Sequence, residues 1–213
     1  MFAKIFVAAL ATLLCTAIPA HADSVQLLPG GAAFSDPATG DSMSPYTAIV
    51  NGQTIAVFCI DFSTAVPNNA SWTAGVTLLA NTSSYANTLQ FQMTHSNSAS
   101  QTNYLEMAWL VLQLQSALAA NDVNLAAQDQ WAIWSFSGGL DPYGTDATLL
   151  AEAQAAVSSN FTVTNWEILT PVAGQRGQEF LALPVPEPGT IHLLLAGFAL
   201  VAASGVLRKL HAF

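Results

Sequence analysis

Strong cations are nearly absent from this 213-residue chain, which has 4 Lys and Arg residues against 13 Asp and Glu residues. Lys4, Arg208 and Lys209 lie close to the two ends, so Arg176 is the only strong cation within residues 23–187. That span holds all thirteen acidic residues against one arginine, a formal net charge of −12. Such a charge excludes nucleic-acid phosphates as partners in a primary role and disfavours anionic membrane surfaces.

Long apolar runs are confined to the two ends of the chain. Near the start, Lys4 precedes an apolar core over residues 5–18, and Ala20-His21-Ala22 follows, a pattern typical of a signal peptide cleaved after Ala22. Near the other end, residues 191–207 form an apolar stretch that would rise about 26 Å as a helix, close to the lower limit for a membrane span. The sequence therefore predicts export, with a transmembrane helix at 191–207.

Cysteine is scarce as well, because the chain has only Cys15 and Cys59. Cys15 lies within the predicted signal peptide, so Cys59 would be the only cysteine of the exported protein and an intramolecular disulfide is excluded. Two interpretations of Cys59 remain open. It packs as a small hydrophobe in a buried strand beside Val57 and Ile60, or its thiol is used chemically.

The residues between the ends indicate an α+β fold in which antiparallel strands carry a helical insertion. Asn51-Gly52 favours a tight hairpin, and the polar segment Asn68–Ser100 is predicted to be loop with one short helix or strand. The predicted strands are Tyr46–Val50, Thr54–Phe62, Phe161–Val172 and Gln178–Leu183. The predicted helices are Tyr104–Ala119, a segment from Asp122 or Asn124 to about Ser137, and Thr145–Val157. The predicted domains are a signal peptide at 1–22, a globular domain at 23–184 and a C-terminal segment at 185–213.

The C-terminal segment combines three features in a fixed order. Pro186-Glu187-Pro188 precedes the apolar stretch, and Arg208 and Lys209 follow it on the side expected to stay cytoplasmic. This order resembles the PEP-CTERM sorting signal of Gram-negative bacteria. The resemblance implies anchoring in the inner membrane, recognition by an exosortase, cleavage near Pro186 to Pro188, and transfer to the cell surface or matrix. A plain C-terminal membrane anchor is the alternative.

Gln130 is predicted to point into the core. On a helical wheel it shares a face with apolar neighbours such as Ala127 and Trp134, whereas Asn124 and Gln128 lie on the opposite, polar side. Burying a carboxamide without partners costs about 1 to 3 kcal/mol. We therefore expect the side chain of Gln130 to be hydrogen-bonded or used chemically.

Two short segments resemble the thioester domain of bacterial surface adhesins: Phe58-Cys59-Ile60-Asp61 and Gln130-Trp131-Ala132-Ile133-Trp134. The resemblance implies that the Cys59 sulfur is joined to the side-chain carbonyl of Gln130 in an internal thioester. It also implies a hydrophobic wall around the bond. The wall residues are Phe58, Trp131, Ala132, Ile133 and Trp134. Asp129 stands where the family pattern has threonine.

Asp61 has two interpretations. It lies two residues beyond Cys59 and is predicted to share its strand face, where its carboxylate would accept or relay a proton. The alternative is a structural hydrogen-bonding role. No cofactor or metal is expected, because His95 alone makes no metal site and the acidic pairs at 36–41 and 141–146 are typical of turns. No motif of a conventional hydrolase or other enzyme is present.

Two hypotheses about function follow. In the first, the exported protein is a covalent adhesion module whose Cys59–Gln130 thioester reacts with an amine or hydroxyl on a surface or matrix target. The absence of lysine from residues 23–187 would then prevent self-acylation through ε-amines, although acidic exported proteins are often lysine-poor for other reasons. In the second, the protein is a passive structural component of an exopolysaccharide matrix and Cys59 is an inert buried thiol.

Overall fold

The computed structural model describes residues 22–80, 82–94 and 97–183 of the chain. The predicted signal segment before Ala22, His95, and the C-terminal segment from residue 184 onward, with its sorting motif and apolar stretch, lie outside these ranges. Within the described ranges, no helix is both long enough and apolar enough to cross a membrane.

The described residues form six strands, a short 3-10 helix and four α-helices. The strands are β1 (Ala22–Ser35), β2 (Ser42–Val50), β3 (Gln53–Cys59), β4 (Ser71–Leu78), β5 (Glu167–Pro171) and β6 (Phe180–Ala182). The helices are the 3-10 helix (Thr82–Asn87), α1 (Leu89–Thr94), α2 (Asn97–Ala119), α3 (Val123–Ser135) and α4 (Asp146–Ser158).

The six strands close into an antiparallel barrel in the order β1-β2-β3-β6-β5-β4, with β4 paired back to β1. The predicted mixture of helices and antiparallel strands is therefore confirmed, and the barrel is an addition to it. All of the helices in the described ranges lie in the chain between β4 and β5, two strands that pair directly with each other. Closure leaves none of these strands with an unpaired edge.

The β2–β3 hairpin forms where the sequence predicts it. Asn51 and Gly52 both have positive φ angles, 50° and 80°, as a two-residue turn of this type requires. Pairing continues from Val50 opposite Gln53 as far as Tyr46 opposite Val57. Strand β3 ends at Cys59, so the predicted extension of the strand to residue 62 is wrong.

The described residues of the polar segment Asn68–Ser100 contain more secondary structure than predicted. It contains the whole of β4, the 3-10 helix, α1 and the first residues of α2. Strand β1 was not predicted either, because Pro29-Gly30-Gly31 interrupts it. In the structure these residues lie at irregularities of the β1–β2 pairing, and the strand resumes beyond them.

The three predicted helices are present with shifted ends. Helix α2 begins at Asn97, seven residues before the predicted start, and α4 closely follows its prediction. Helix α3 begins after Asp122, whose side chain accepts a hydrogen bond from the Leu125 N–H at 3.0 Å and so caps the helix as predicted. The predicted strand at 161–172 forms only from Glu167 onward.

Two hydrophobic clusters pack on either side of α3. All six strands and one face of α3 contribute to the first, here called the barrel core, which includes Cys59, Trp72, Trp131 and Phe180. The second, here called the helix core, lies among α2, α3, α4 and the outer face of β3, β5 and β6. Helix α3 is therefore buried on both sides, which explains its nearly continuous run of buried residues.

Candidate functional site

Cys59 is the last residue of β3, and its side chain is completely buried in the barrel core. Its backbone N–H donates to the hydroxyl oxygen of Ser44 at 2.9 Å. Its S–H donates to the backbone carbonyl of Asp61, with 3.4 Å between sulfur and oxygen. No disulfide involves Cys59, which is a free thiol.

The carboxamide of Gln130 reaches Cys59 from helix α3. The Gln130 side chain is completely buried, and its Nε2 donates to the backbone carbonyl of Cys59 at 2.9 Å. Its Oε1 accepts a hydrogen bond from the backbone N–H of Ser44 at 3.3 Å. The two residues that the sequence singled out, 71 positions apart, therefore meet in the barrel core.

Ser44 connects both partners and was not identified from the sequence. It is completely buried on β2, where its N–H holds the Gln130 carbonyl and its hydroxyl holds the Cys59 N–H. The hairpin offers a signal that would have found it. Tyr46 lies opposite Val57, and continuing that register by two residues brings Ser44 opposite Cys59.

Three aromatic rings pack together beside this site, and one of them is partly exposed to solvent. Trp131 and Trp134, exposed by 4% and 5%, pack edge to face with ring centroids 5.2 Å apart. Phe62 covers both of them, with its ring centroid 5.3 Å from each indole, and 41% of Phe62 is exposed. The backbone N–H of Phe62 donates to the Ser137 hydroxyl at 2.9 Å, which ties this cover to the end of α3.

The predicted wall divides between the two clusters. Trp131 and Trp134 pack in the barrel core with Cys59, whereas Phe58, Ala132 and Ile133 pack in the helix core. Phe58 precedes Cys59 on β3, and successive side chains of a strand point to opposite faces. The structure therefore assigns Phe58, Ala132 and Ile133 to the packing behind the site, whereas Phe62 packs on the two indoles.

Burial raises the pKa of the Cys59 thiol to about 12. The hydrogen bond to the Asp61 carbonyl and the nearby Trp134 indole oppose this shift, whereas the negative charge of Asp61 adds to it. The Trp134 N–H makes no hydrogen bond of ordinary geometry within the described residues. At neutral pH the Cys59 sulfur is therefore protonated. The Trp134 indole N–H lies beside this sulfur and has no other hydrogen-bond acceptor within the described residues.

Asp61 acts on the site through its backbone. Its carboxylate accepts from the N–H and the hydroxyl of Ser63, at 2.9 and 2.6 Å, which makes a local turn after β3. Its carbonyl oxygen accepts the Cys59 S–H and also the Gln178 side-chain N–H, at 3.2 Å. Since β3 ends at Cys59, the prediction that the two residues share a strand face is wrong. The contacts of Asp61 favour its structural interpretation.

Asp36 holds the tryptophan cover in place and was interpreted from the sequence only as a turn residue. Its carboxylate accepts hydrogen bonds from the Trp131 indole at 2.9 Å, the Tyr143 hydroxyl, the Thr39 hydroxyl and the Ala38 N–H. Burial by itself would raise the pKa of Asp36, but these hydrogen bonds outweigh it and hold the pKa at about 2. The β1–β2 connection is thereby fastened to α3.

Asp129 faces away from the Cys59–Gln130 pair. It lines a cavity of about 230 Å³ between α2, α3 and α4, together with Asp122 and Glu152. Both carboxylate oxygens are buried and have no hydrogen-bond partner within the described residues. Burial, and then the charges of Glu152 and Asp122, raise the pKa of Asp129 to about 7. The residue that departs from the threonine of the resembled pattern therefore does not contact the thiol.

A metal site is not apparent in the part of the chain that the structure describes, where no three Cys, His, Asp or Glu side chains group to hold an ion. In the first acidic pair, Asp36 accepts hydrogen bonds from Trp131, Tyr143, Thr39 and Ala38. In the second, Asp141 accepts from the N–H groups of Tyr143 and Asp146 at 2.7 and 2.9 Å. Both carboxylates organise turns, as the sequence indicated.

Residues 184–209 match the PEP-CTERM protein-sorting motif. Exosortase recognises this motif, so the chain is an exported surface or matrix protein that is anchored at the membrane before processing. No curated protein matches the chain in sequence. Among solved structures, the chain is similar to the N-terminal thioester domain of a surface protein from Clostridium perfringens, at 10% identity and a TM-score of 0.39, over 77% of this chain and 99% of that one.

Proposed function

We propose that this exported protein attaches covalently to a surface or matrix target through an internal thioester between Cys59 and Gln130. The observation that carries the proposal is the Gln130 carboxamide, which is completely buried, donates to the Cys59 carbonyl and accepts from the Ser44 N–H. The arrangement places a buried carboxamide against the backbone of a buried cysteine whose thiol is free. It is accounted for if the two side chains react.

In the bond-forming step, the Cys59 sulfur adds to the side-chain carbonyl carbon of Gln130. During this addition the carbonyl oxygen of Gln130 gains negative charge. The Ser44 N–H already donates to this oxygen, so it would stabilise the addition intermediate. The S–H proton passes to the amide nitrogen, the C–N bond breaks, and ammonia leaves. Because the thiol pKa of about 12 disfavours a free thiolate, addition and proton transfer have to be closely coupled.

In the capture step, an amine or hydroxyl of the target attacks the thioester carbon. A new amide or ester bond to Gln130 forms, the C–S bond breaks, and the Cys59 thiol is regenerated with the proton of the nucleophile. Each molecule reacts once and stays attached, so the protein acts as an adhesion module and not as an enzyme. The lack of lysine between residues 23 and 187 leaves the electrophile for a foreign nucleophile.

One alternative is a passive structural matrix protein. It is favoured by the complete burial of Cys59 and by its raised pKa, both of which are typical of an inert core thiol. In this case the Gln130 side chain serves as a hydrogen-bonded link between β2, β3 and α3.

Intact-mass measurement of the freshly exported protein distinguishes the two functions. Thioester formation is expected to lower the mass by about 17 Da through loss of ammonia. Incubation with methylamine should then raise the mass by about 14 Da relative to the unmodified chain, because the amine is retained on Gln130. Tandem mass spectrometry should place that methylamide on residue 130.

Cys59→Ala and Gln130→Ala are the matched controls, and each should show the unmodified mass with and without methylamine. If the parent protein has the unmodified mass and its single exported thiol titrates fully after unfolding, the proposal is wrong and the passive function stands.

Phe62→Ala is expected to speed hydrolysis of the thioester by about tenfold, because removing an aromatic contact worth about 1.4 kcal/mol lowers the cost of opening the cover by that amount. The measurement is the rate at which the mass deficit disappears at pH 8. Phe62→Leu keeps an apolar cover and should hydrolyse more slowly than Phe62→Ala. Leu140→Ala, at another exposed apolar loop residue, should match the parent protein. Equal rates for all four proteins would show that Phe62 does not shield the bond.

A further inference from the structure

A cleft in the described part of the chain is separate from the aromatic cover. Its volume is about 740 Å³, within the range of small-molecule sites, and it lies between β4, β5, the 3-10 helix and the β5–β6 loop. Asp61 forms part of its wall, and the Asp61 carbonyl accepts the Cys59 S–H. A molecule held in the cleft therefore lies next to the residue that contacts the thiol.

Polar side chains that are free to bind a ligand line this cleft. Arg176, Asn87 and Gln92 all face it, and none of their side chains has a hydrogen bond or ion pair within the described residues. The two carboxamides each offer a donor and an acceptor, and the Arg176 guanidinium offers a planar fork of donors. Such a set matches a ligand with several hydroxyl groups and one carboxylate.

The charge balance limits the ligand to a single negative charge. Arg176 is the only Lys or Arg within residues 23–187, in a span that holds thirteen acidic residues. One arginine favours one carboxylate, whereas the surrounding negative field, including the adjacent Asp61, repels phosphates and polyanions. A neutral polyol would leave the guanidinium without an anionic partner.

The cleft is supported by a rigid floor. The buried carboxylate of Glu179 accepts from the Leu89 N–H at 3.1 Å and from the Thr170 hydroxyl, and both of these residues line the cleft. On the loop side, a Cβ at Gly177 would lie 2.7 Å from the Trp72 ring, so the loop backbone packs directly on that ring. Walls held in this way need little reorganisation on binding.

We infer that this cleft binds a hydroxyl-rich monocarboxylate, the chemistry of an acidic sugar, with Arg176 on its carboxylate and Asn87 and Gln92 on its hydroxyl groups. This binding does not require the thioester, so it can be tested independently of the proposed covalent attachment. If both are present, the cleft selects the molecule that is brought beside the reactive pair.

The test is a titration of the ¹⁵N-labelled exported protein with sodium D-glucuronate, followed by amide chemical shifts. D-Glucose is the neutral control with the same ring. Glucuronate should give saturable shifts at Gly174, Gly177 and the Arg176 amide, whereas glucose should bind at least about tenfold more weakly. The titration is repeated on Cys59→Ala, which cannot form a thioester and should bind glucuronate as the parent does.

Arg176→Gln should weaken glucuronate binding by about tenfold, and Arg176→Lys, which keeps the charge but loses the fork, by about threefold. Asn124→Ala, at an exposed position on α3 outside the cleft, is the matched control and should change nothing. The inference is overturned if glucuronate gives no saturable shift up to about 50 mM, if glucose binds equally well, or if Arg176→Gln binds as the parent does.

Discussion

Replacing Glu179 with alanine is expected to lower the free energy of unfolding by about 3 to 5 kcal/mol. The Glu179 carboxylate is buried at the junction of β6, β5, α1 and α2, and it accepts hydrogen bonds from the Tyr104 hydroxyl, the Thr170 hydroxyl and the Leu89 N–H. Alanine would leave all three donors without this acceptor and would add a cavity beside the completely buried Tyr104.

The measurement is urea denaturation at pH 7, monitored by tryptophan fluorescence. Glu179→Gln is the matched control, because its amide oxygen can still accept from Leu89 and Thr170 and only the Tyr104 hydroxyl loses its acceptor. This variant should lose no more than about 1 kcal/mol. Equal losses for alanine and glutamine would show that the carboxylate charge, and not the set of hydrogen bonds, supports this junction.

Replacing Asp129 with asparagine is expected to have the opposite effect, raising the free energy of unfolding by about 1 to 3 kcal/mol at pH 8. The Asp129 carboxylate is 1% exposed, its oxygens have no partner within the described residues, and Glu152 and Asp122 add like charge. Burial is the main reason that its pKa rises from 3.8 to about 7. At pH 8 the folded protein therefore contains an ionised carboxylate that water would solvate better.

The sign of the pH dependence follows from the raised pKa. Between about pH 4 and pH 7 the folded state binds a proton at Asp129 that the unfolded state has released, so stability falls as pH rises through this window. Glu179, whose pKa burial raises to about 7, and Asp146, whose pKa burial raises to about 6, add to the same trend. The parent protein should be more stable at pH 5 than at pH 8.

Melting temperatures measured from pH 4 to pH 8 test this expectation. Asp129→Asn should differ little from the parent at pH 4, where Asp129 is protonated in the folded protein, and should exceed it increasingly toward pH 8. Asp129→Thr, with the residue type of the resembled pattern, should behave similarly. Glu152→Gln should give a smaller gain, because it removes only the second cause of the shift. If the melting temperature of Asp129→Asn exceeds that of the parent by the same amount at every pH, Asp129 is not ionised in the folded protein near pH 8.

Local signals account for the parts of the fold that the sequence predicted well. The Asn51-Gly52 turn, the Asp122 cap and the periodicity of the three longer helices act within a few residues, so their effects appear in the sequence itself. The burial of Gln130 belongs with them, since a helical wheel shows which face of a helix is apolar.

Strands β1 and β4 could not be predicted in the same way. Pro29-Gly30-Gly31 interrupts the sequence of β1, and β4 lies in a polar tract, so neither shows a strong strand pattern. Each is stabilised by distant partners, because β1 pairs with β4, and β4 pairs with β5, some ninety residues further along the chain. Pairing across such a separation depends on closure of the barrel and not on local preference.

By itself, the sequence determined that the protein is exported, that residues 23–187 are strongly acidic, and that one thiol and one core-facing carboxamide are available, because these properties follow from composition and short motifs. Only the tertiary structure decided what surrounds that pair. Ser44 lies against it through strand register, Phe62 covers it because β3 ends early, and Asp129 is turned away because α3 is buried on both sides. Such placements depend on how strands and helices that are distant in sequence pack together, so the local sequence around each residue does not predict them.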